Sequence, residues 1–184
     1  QNGAGTYGST TSDKTRGIIA GGHPQHNDVI DFCTISTTAN FQDFGDLTSS
    51  RWIMGGGVSS GTRSVFAGGS IVTSGNPTVN TMDFVTTQSL GNAVDFGDSI
   101  QARRGTASVN NPTRGIFAGG YHPATLYNLI EYITTATLGN AADFGDLRSS
   151  ISRNAGCCNA IRGMFGGGGN PAVNSIEFIN IATF

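Results

Sequence analysis

Apolar and polar residues alternate along short segments of this chain, and the segments recur. Leu129-Ile130-Glu131-Tyr132-Ile133-Thr134-Thr135-Ala136-Thr137 is typical: β-branched or aromatic positions alternate with polar ones, the period of a pleated strand packed on one face. No stretch holds a 3.6-residue period with caps, so almost no helix is expected. A second kind of segment occurs four times as Arg16-Gly17-Ile18-Ile19-Ala20-Gly21-Gly22, Arg63-Ser64-Val65-Phe66-Ala67-Gly68-Gly69, Arg114-Gly115-Ile116-Phe117-Ala118-Gly119-Gly120 and Arg162-Gly163-Met164-Phe165-Gly166-Gly167-Gly168. The arginines are 47, 51 and 48 residues apart. Each segment is followed by Ile30-Asp31-Phe32, Met82-Asp83-Phe84, Ile130-Glu131-Tyr132 or Ile176-Glu177-Phe178. After the first three come Asp43-Phe44-Gly45-Asp46, Asp95-Phe96-Gly97-Asp98 and Asp143-Phe144-Gly145-Asp146, reached through Ala39-Asn40, Gly91-Asn92 or Gly139-Asn140, where a tight turn favours positive φ.

Three motifs in fixed order at one period define a repeat of four strands. Strand A is small and polar (3–9, 51–57, 104–109, 153–158). Strand B runs from Arg to the double Gly, strand C carries the aromatic, and strand D is the Asp-Phe-Gly-Asp segment. A single sheet of this kind cannot bury both faces, so copies must stack face to face. The expected fold is all-β: a β-propeller of four-stranded antiparallel blades, with repeats at about 1–48, 49–100, 101–148 and 149–184, forming one propeller domain or a segment of one. Small strand-A residues such as Gly3-Ala4-Gly5, Gly55-Gly56-Gly57 and Ala155-Gly156 suit the crowded axis. The fourth repeat has A, B and C only, giving 15 strands where four full blades need 16. Three closures are compatible with that count: a longer ring of six to eight blades, a four-bladed ring with a three-stranded last blade, or completion by another subunit.

Composition narrows the class. Twenty-eight glycines in 184 residues is about twice the usual share, and 12% charged residues is about half of it. That excludes charge-driven disorder and coiled coils. A net charge of −2, with one lysine beside nine arginines, argues against nucleic acid as a partner. No apolar run is long enough to cross a membrane as a helix, so no membrane insertion is expected. Three cysteines make no disulfide framework.

The double Gly of strand B (Gly21-Gly22, Gly68-Gly69, Gly119-Gly120, Gly167-Gly168) and the aromatic of strand C (Phe32, Phe84, Tyr132, Phe178) resemble the kelch repeat. Kelch repeats usually carry a Trp near the outer strand, where this chain has Phe44, Phe96 and Phe144. The whole chain is also similar to kelch-like arrays in virion proteins of tailed phages, cyanophages above all. That resemblance implies a virion or extracellular location, and a structural or adhesive role in a tail fibre, baseplate or head appendage.

The motifs that invite a catalytic reading have plainer ones. Asp-Phe-Gly without a phosphate loop, strand lysine or catalytic loop is structural: Phe packs between blades, Gly permits a bend and Asp marks the outer strand. The Asp-x-x-Asp pairs fall in different blades, so neither they nor the scattered His23, His26 and His122 make a metal site. Gly166-Gly167-Gly168-Gly169 lacks the Lys-Ser/Thr of a phosphate cradle. Arg16, Arg63, Arg114 and Arg162 are expected to pair with Asp31, Asp83, Glu131 and Glu177 across the B–C hairpin. Cys33, Cys157 and Cys158 read as core.

The frame residues recur while the B–C loops differ, and recognition sits on variable loops of a rigid scaffold. The expected ligand- or partner-binding residues are therefore His23, His26, Trp52, Tyr121, His122 and Tyr127. The expectation is a non-enzymatic module with no cofactor and no metal. Its partners would be other virion subunits, copies of itself or a host-surface glycan. The alternative is an extracellular surface or filament protein whose blades are completed by neighbouring chains. A propeller enzyme such as a copper oxidase would need Tyr, His and Cys ligands converging on one site, which the scattered histidines do not suggest.

Overall fold

The computed structural model describes residues 7–23, 27–52, 56–71, 73, 75–169 and 172–182. Among these there is no helix. Blade 1 consists of β1 (Ser9–Ser12), β2 (Arg16–Ala20), β3 (Val29–Thr34) and β4 (Gln42–Asp46). After the short β5 (Arg51–Trp52), blade 2 follows: β6 (Gly57–Ser59), β7 (Arg63–Ala67), the two-residue β8 (Ser70–Ile71) that pairs back to β5, β9 (Thr81–Thr86) and β10 (Val94–Asp98). Blade 3 has β11 (Ala107–Asn110), β12 (Arg114–Ala118), a ribbon of β13 (Tyr121–His122) and β14 (Thr125–Leu126), β15 (Leu129–Thr134) and β16 (Ala142–Asp146). Blade 4 has β17 (Ala155–Cys158), β18 (Arg162–Gly166) and β19 (Ile176–Asn180).

Each blade is an antiparallel meander in chain order, three with four strands and the last with three, arranged as a four-bladed β-propeller. The 15 blade strands match the expected number. Strands B, C and D lie where the pattern placed them. Strand A starts later in all four repeats; in the second, third and fourth, the linker residues Arg51 and Trp52, Arg103 and Arg104, and Ile151 and Ser152 precede it. Gly3-Ala4-Gly5 and Gly55, expected at the axis, fall outside the described residues. The inner strands that are described carry Ser, Thr, Gly, Ala, Asn and Cys with two valines, and β1, β6, β11 and β17 follow one another around the axis. Polar contacts bind them: the Ser108 hydroxyl donates to Gly57 O at 2.7 Å and Asn110 Nδ2 to Ser59 O at 2.6 Å.

Among the described residues the core is three separate clusters, each at a blade–blade interface. Ile18, Ile30, Phe32 and Phe44 of blade 1 bury against Phe66, Val85 and Ala93 of blade 2. Val65, Met82 and Phe96 meet Phe117 and Ile133, and Ile116, Ile130 and Leu147 meet Phe165 and Ile181. Within the first three blades the strand-C aromatic meets the strand-D Phe edge to face, at 5.9, 5.9 and 6.1 Å. Asp-Phe-Gly-Asp is thus a packing motif. Its Gly97 marks a β-bulge at φ 138°, and a Cβ there would stand 2.5 Å from Gly139 O of the next blade.

The repeated arginines act differently from the expectation. Antiparallel pairing sets Arg63 opposite Thr86 and Phe66 opposite Asp83, so Arg and Asp lie at opposite ends of the hairpin. Arg16, Arg63, Arg114 and Arg162 instead stack on Phe32, Phe84, Tyr132 and Phe178 at 4.7–4.9 Å. The first three then reach into the following blade, donating to Thr87 O, to Thr135 O and Ala136 O, and to Ile181 O. Asp83 and Glu131 pair with the linker residues Arg51 and Arg103, at 2.7 and 2.8 Å, in two ion pairs almost wholly shielded from solvent. The Arg51–Asp83 contact is also a well-aligned hydrogen bond; the Arg103 Nη2–Glu131 Oε1 contact is close but off-line. Burial pulls the Arg51 guanidinium below its usual value, and the Asp83 and Asp95 carboxylates push it back. The third linker has Ile151 at this position, and Glu177 there is only half-buried.

Candidate functional site

The site grows from the double glycine. Gly21, Gly68 and Gly119 have φ of 65°, 65° and 68°, a region L side chains avoid. A Cβ on any of them would lie 2.4–2.5 Å from the carbonyl oxygen of Arg51, Arg103 or Ile151 in the next linker. The second glycine's N–H donates to that same carbonyl, at 3.3, 3.0 and 2.8 Å. The linker is thereby held against the preceding blade. Its next residues are turned toward the segment that follows the double glycine in their own blade. Trp52 pairs with Ser70, Arg104 exchanges backbone hydrogen bonds with Tyr121 at 3.0 and 2.8 Å, and Ser152 bridges to Gly169.

These linker and loop residues form one column across all four blades. Tyr7 and His23 of blade 1 meet Trp52 of blade 2: Tyr7 edge-on to His23 and Trp52 at 6.2 and 6.3 Å, and His23 tilted over Trp52 at 5.2 Å. The Arg104 guanidinium lies 4.8 Å from the Trp52 ring centre and 4.9 Å from that of Tyr121. Arg153 of blade 4 lies 5.6 Å from Tyr121. Arg104 is further fixed by donating to the Ser70 hydroxyl at 2.6 Å. After the three rings of Tyr7, His23 and Trp52, guanidinium groups and rings alternate from Trp52 to Arg153. Among the described residues the two arginines are counterbalanced by rings and a hydroxyl rather than by carboxylates. At the blade 3–4 end, a depression of about 280 Å³ is bounded by Tyr121, His122, Pro123, Thr125, Leu126 and Arg153, among others.

Of the six residues expected from sequence, the structure brings His23, Trp52 and Tyr121 into the column and sets exposed His122 on the wall of the depression. Half-buried Tyr127 lies apart in role: its N–H donates to Gly120 O and its carbonyl accepts from Ile151 N–H. His26 lies outside the described residues. Tyr7, Arg104 and Arg153 were not anticipated, because the sequence pattern assigned the stretches around them to strand A. Arg104 follows the buried linker arginine directly, as Trp52 follows Arg51, and that shared position was the available signal. The cysteines are also corrected: Cys157 and Cys158 are exposed and Cys33 is only half-buried. Among the described residues, no three His, Cys, Asp or Glu side chains come together as metal ligands do.

Fold and site together define a β-propeller with an aromatic–guanidinium column on one face. The chain matches no protein-family model and no curated protein.

Proposed function

We propose that this chain is a kelch-like, non-enzymatic adhesion module of a tailed-phage virion, carried on a tail fibre, baseplate or head appendage, and that the column binds an acidic glycan of the host surface. The column carries the reading. Aromatic rings give flat amphipathic contact to sugar faces and edges, and guanidinium groups pair bidentately with carboxylate or sulfate. Arg104 and Arg153 are held in place by rings on a rigid frame, so little ordering is left for a ligand to impose. A depression of about 280 Å³ lies at the lower edge of the ~300–1,000 Å³ typical of ligand pockets, a size for one sugar unit with the rest of the chain lying along the column. The kelch and phage parts rest on the double glycines, the strand-C aromatics and the wording of the repeats.

Trp52 is the only tryptophan, so its fluorescence reports on the column directly. Titration with polygalacturonate, a polymer of carboxylated sugars, is expected to shift or quench the emission, and neutral dextran is expected to leave it unchanged. Arg153→Gln, which does not touch Trp52, weakens the response tenfold or more. An absent response to the acidic polymer, together with no adsorption of labelled protein to bacterial cells, overturns the glycan reading.

A further inference from the structure

The same interface is built three times between blades, and each half of it stands exposed once more. Every internal interface has a trailing face: the strand-B residue after Arg-x, the first apolar residue of the strand-C motif, and the strand-C aromatic beneath its arginine. In blade 1 these are Ile18, Ile30 and Phe32, all buried in the core. Their counterparts in blade 4 are Met164, Ile176 and Phe178. Ile176 and Phe178 are 75% and 65% exposed, where Ile30 and Phe32 are 0% and 7%. Arg162 stacks on Phe178 at 4.7 Å, as its three counterparts do on their rings, poised to donate to a next blade. Gly167 holds φ at 64° like the other docking glycines, yet no described residue lies within 4 Å of the Cβ position that in them meets a linker carbonyl.

Every interface also has a leading face. In blade 2 it is Phe66, Val85, Thr87 and Ala93, each at most 9% exposed. In blade 1 the corresponding residues are Ile19, Cys33, Ile35 and Phe41. Ile35 and Phe41 are 55% and 56% exposed. Three core clusters serve four blades, and no cluster among the described residues joins blade 4 to blade 1. Both faces are apolar, and one is furnished with the arginine and glycine that the other three interfaces use.

We propose that the trailing face of blade 4 docks onto the leading face of blade 1 of a second copy of this chain, head to tail. The partner is argued from continuity: the surface that fits a trailing face in this molecule is a leading face, and among the described residues that of blade 1 stands uncovered. An interface between unlike faces propagates as a filament or closes into a ring. Two copies closing on each other make eight blades, within the ~4–8 that propellers use. Arg162 then donates to the Ile35 carbonyl, the counterpart of Thr87, Thr135 and Ile181. This inference does not depend on the glycan reading.

The test is sedimentation velocity on the 184-residue chain and on two variants, each placing a charge on one exposed face: Ile176→Glu and Ile35→Glu. Neither residue is buried, so both variants keep the far-ultraviolet circular dichroism of the parent. The parent is expected to sediment as a dimer or larger assembly and each variant alone as a monomer. An equimolar mixture of the two is expected to recover a dimer, since it retains one intact trailing and one intact leading face. A monomeric parent overturns the proposal, as does an assembly that survives either substitution. A mixture that stays monomeric overturns the head-to-tail geometry.

Discussion

Arg51→Ile tests how much of the stability resides in the buried ion pairs. Arg51 and Asp83 are both 0% exposed. Asp83 accepts from Arg51 Nη2 at 2.7 Å, from the Thr48 hydroxyl at 2.7 Å and from Thr48 N–H at 3.1 Å; Arg51 Nη1 also donates to Thr81 O at 3.3 Å. Isoleucine is the residue the chain itself places at the matching position, 151. There, however, Glu177 is half-exposed and accepts from Arg148 N–H at 2.9 Å, so its carboxylate is not sealed in without the arginine. Asp83 has no such outlet. Removing one partner of a buried pair costs about 3–5 kcal/mol, chiefly because the other charge is left uncompensated. For a chain of this length about 2–4 °C of melting temperature goes with each kcal/mol, which predicts a fall of roughly 6–20 °C. The assay is urea and thermal unfolding followed by Trp52 fluorescence and circular dichroism together. Arg51→Ile/Asp83→Asn is expected to recover part of the loss, since the amide removes the stranded charge while still accepting from Thr48. A single-variant loss under about 1 kcal/mol, typical of exposed pairs, refutes the reasoning.

The docking glycines give a paired comparison. In the Ile176→Glu background, where the blade 4 face is left undocked, Gly119→Ala carries the left-handed strain of about 1–2 kcal/mol and an overlap with Ile151 O, whereas Gly167→Ala carries the strain alone, so the first should unfold at clearly lower urea. Equal midpoints would count against the blade-docking role. Asp13 titrates below its usual 3.8: burial pushes the carboxyl up, but hydrogen bonds from the N–H groups of Arg16 and Thr15, the Thr15 hydroxyl and the Gln88 amide together outweigh it. Its folded value is depressed, so its contribution is present above pH 3.8 and is lost as the pH falls through the folded value; in Asp13→Asn that acid-side loss should be smaller. Arg63→Met removes the donor to Thr135 O and Ala136 O and the charge over Phe84, and should cost about 1–2 kcal/mol by urea unfolding, while Lys14→Met, which sits on the surface, should cost under about 0.5.

The blades were legible because stacking imposes the same demands at each turn of the repeat, and those demands leave residues at fixed spacing. The alternation in β15 and the Gly-Asn turns were enough to place strands B to D. The partners of the repeated arginines were misread for a geometric reason. Strand order in a hairpin reverses, so the first residue of B meets the last of C, and Asp83 faces Phe66 instead. The linker arginines 51 and 103 were passed over because they recur only twice, the third linker having Ile151. The column was half visible. Rings in loops drew attention, but the guanidinium groups that join them sit in linkers, and contacts between successive blades leave no periodic signature within either one.

Asn92 and Asn140 have a consequence for how such proteins change over time. Each turn asparagine accepts from the N–H of the preceding blade's last strand, Asp46 at 3.1 Å and Asp98 at 3.0 Å. The fitting is the same at both places and lies wholly in parts that every complete repeat carries. A gene that gains or loses one whole four-stranded unit therefore keeps this hydrogen bond at the new junction. Circumference becomes a quantity that unequal recombination can adjust in single steps, while point substitutions in the loops retune the rim without disturbing the frame.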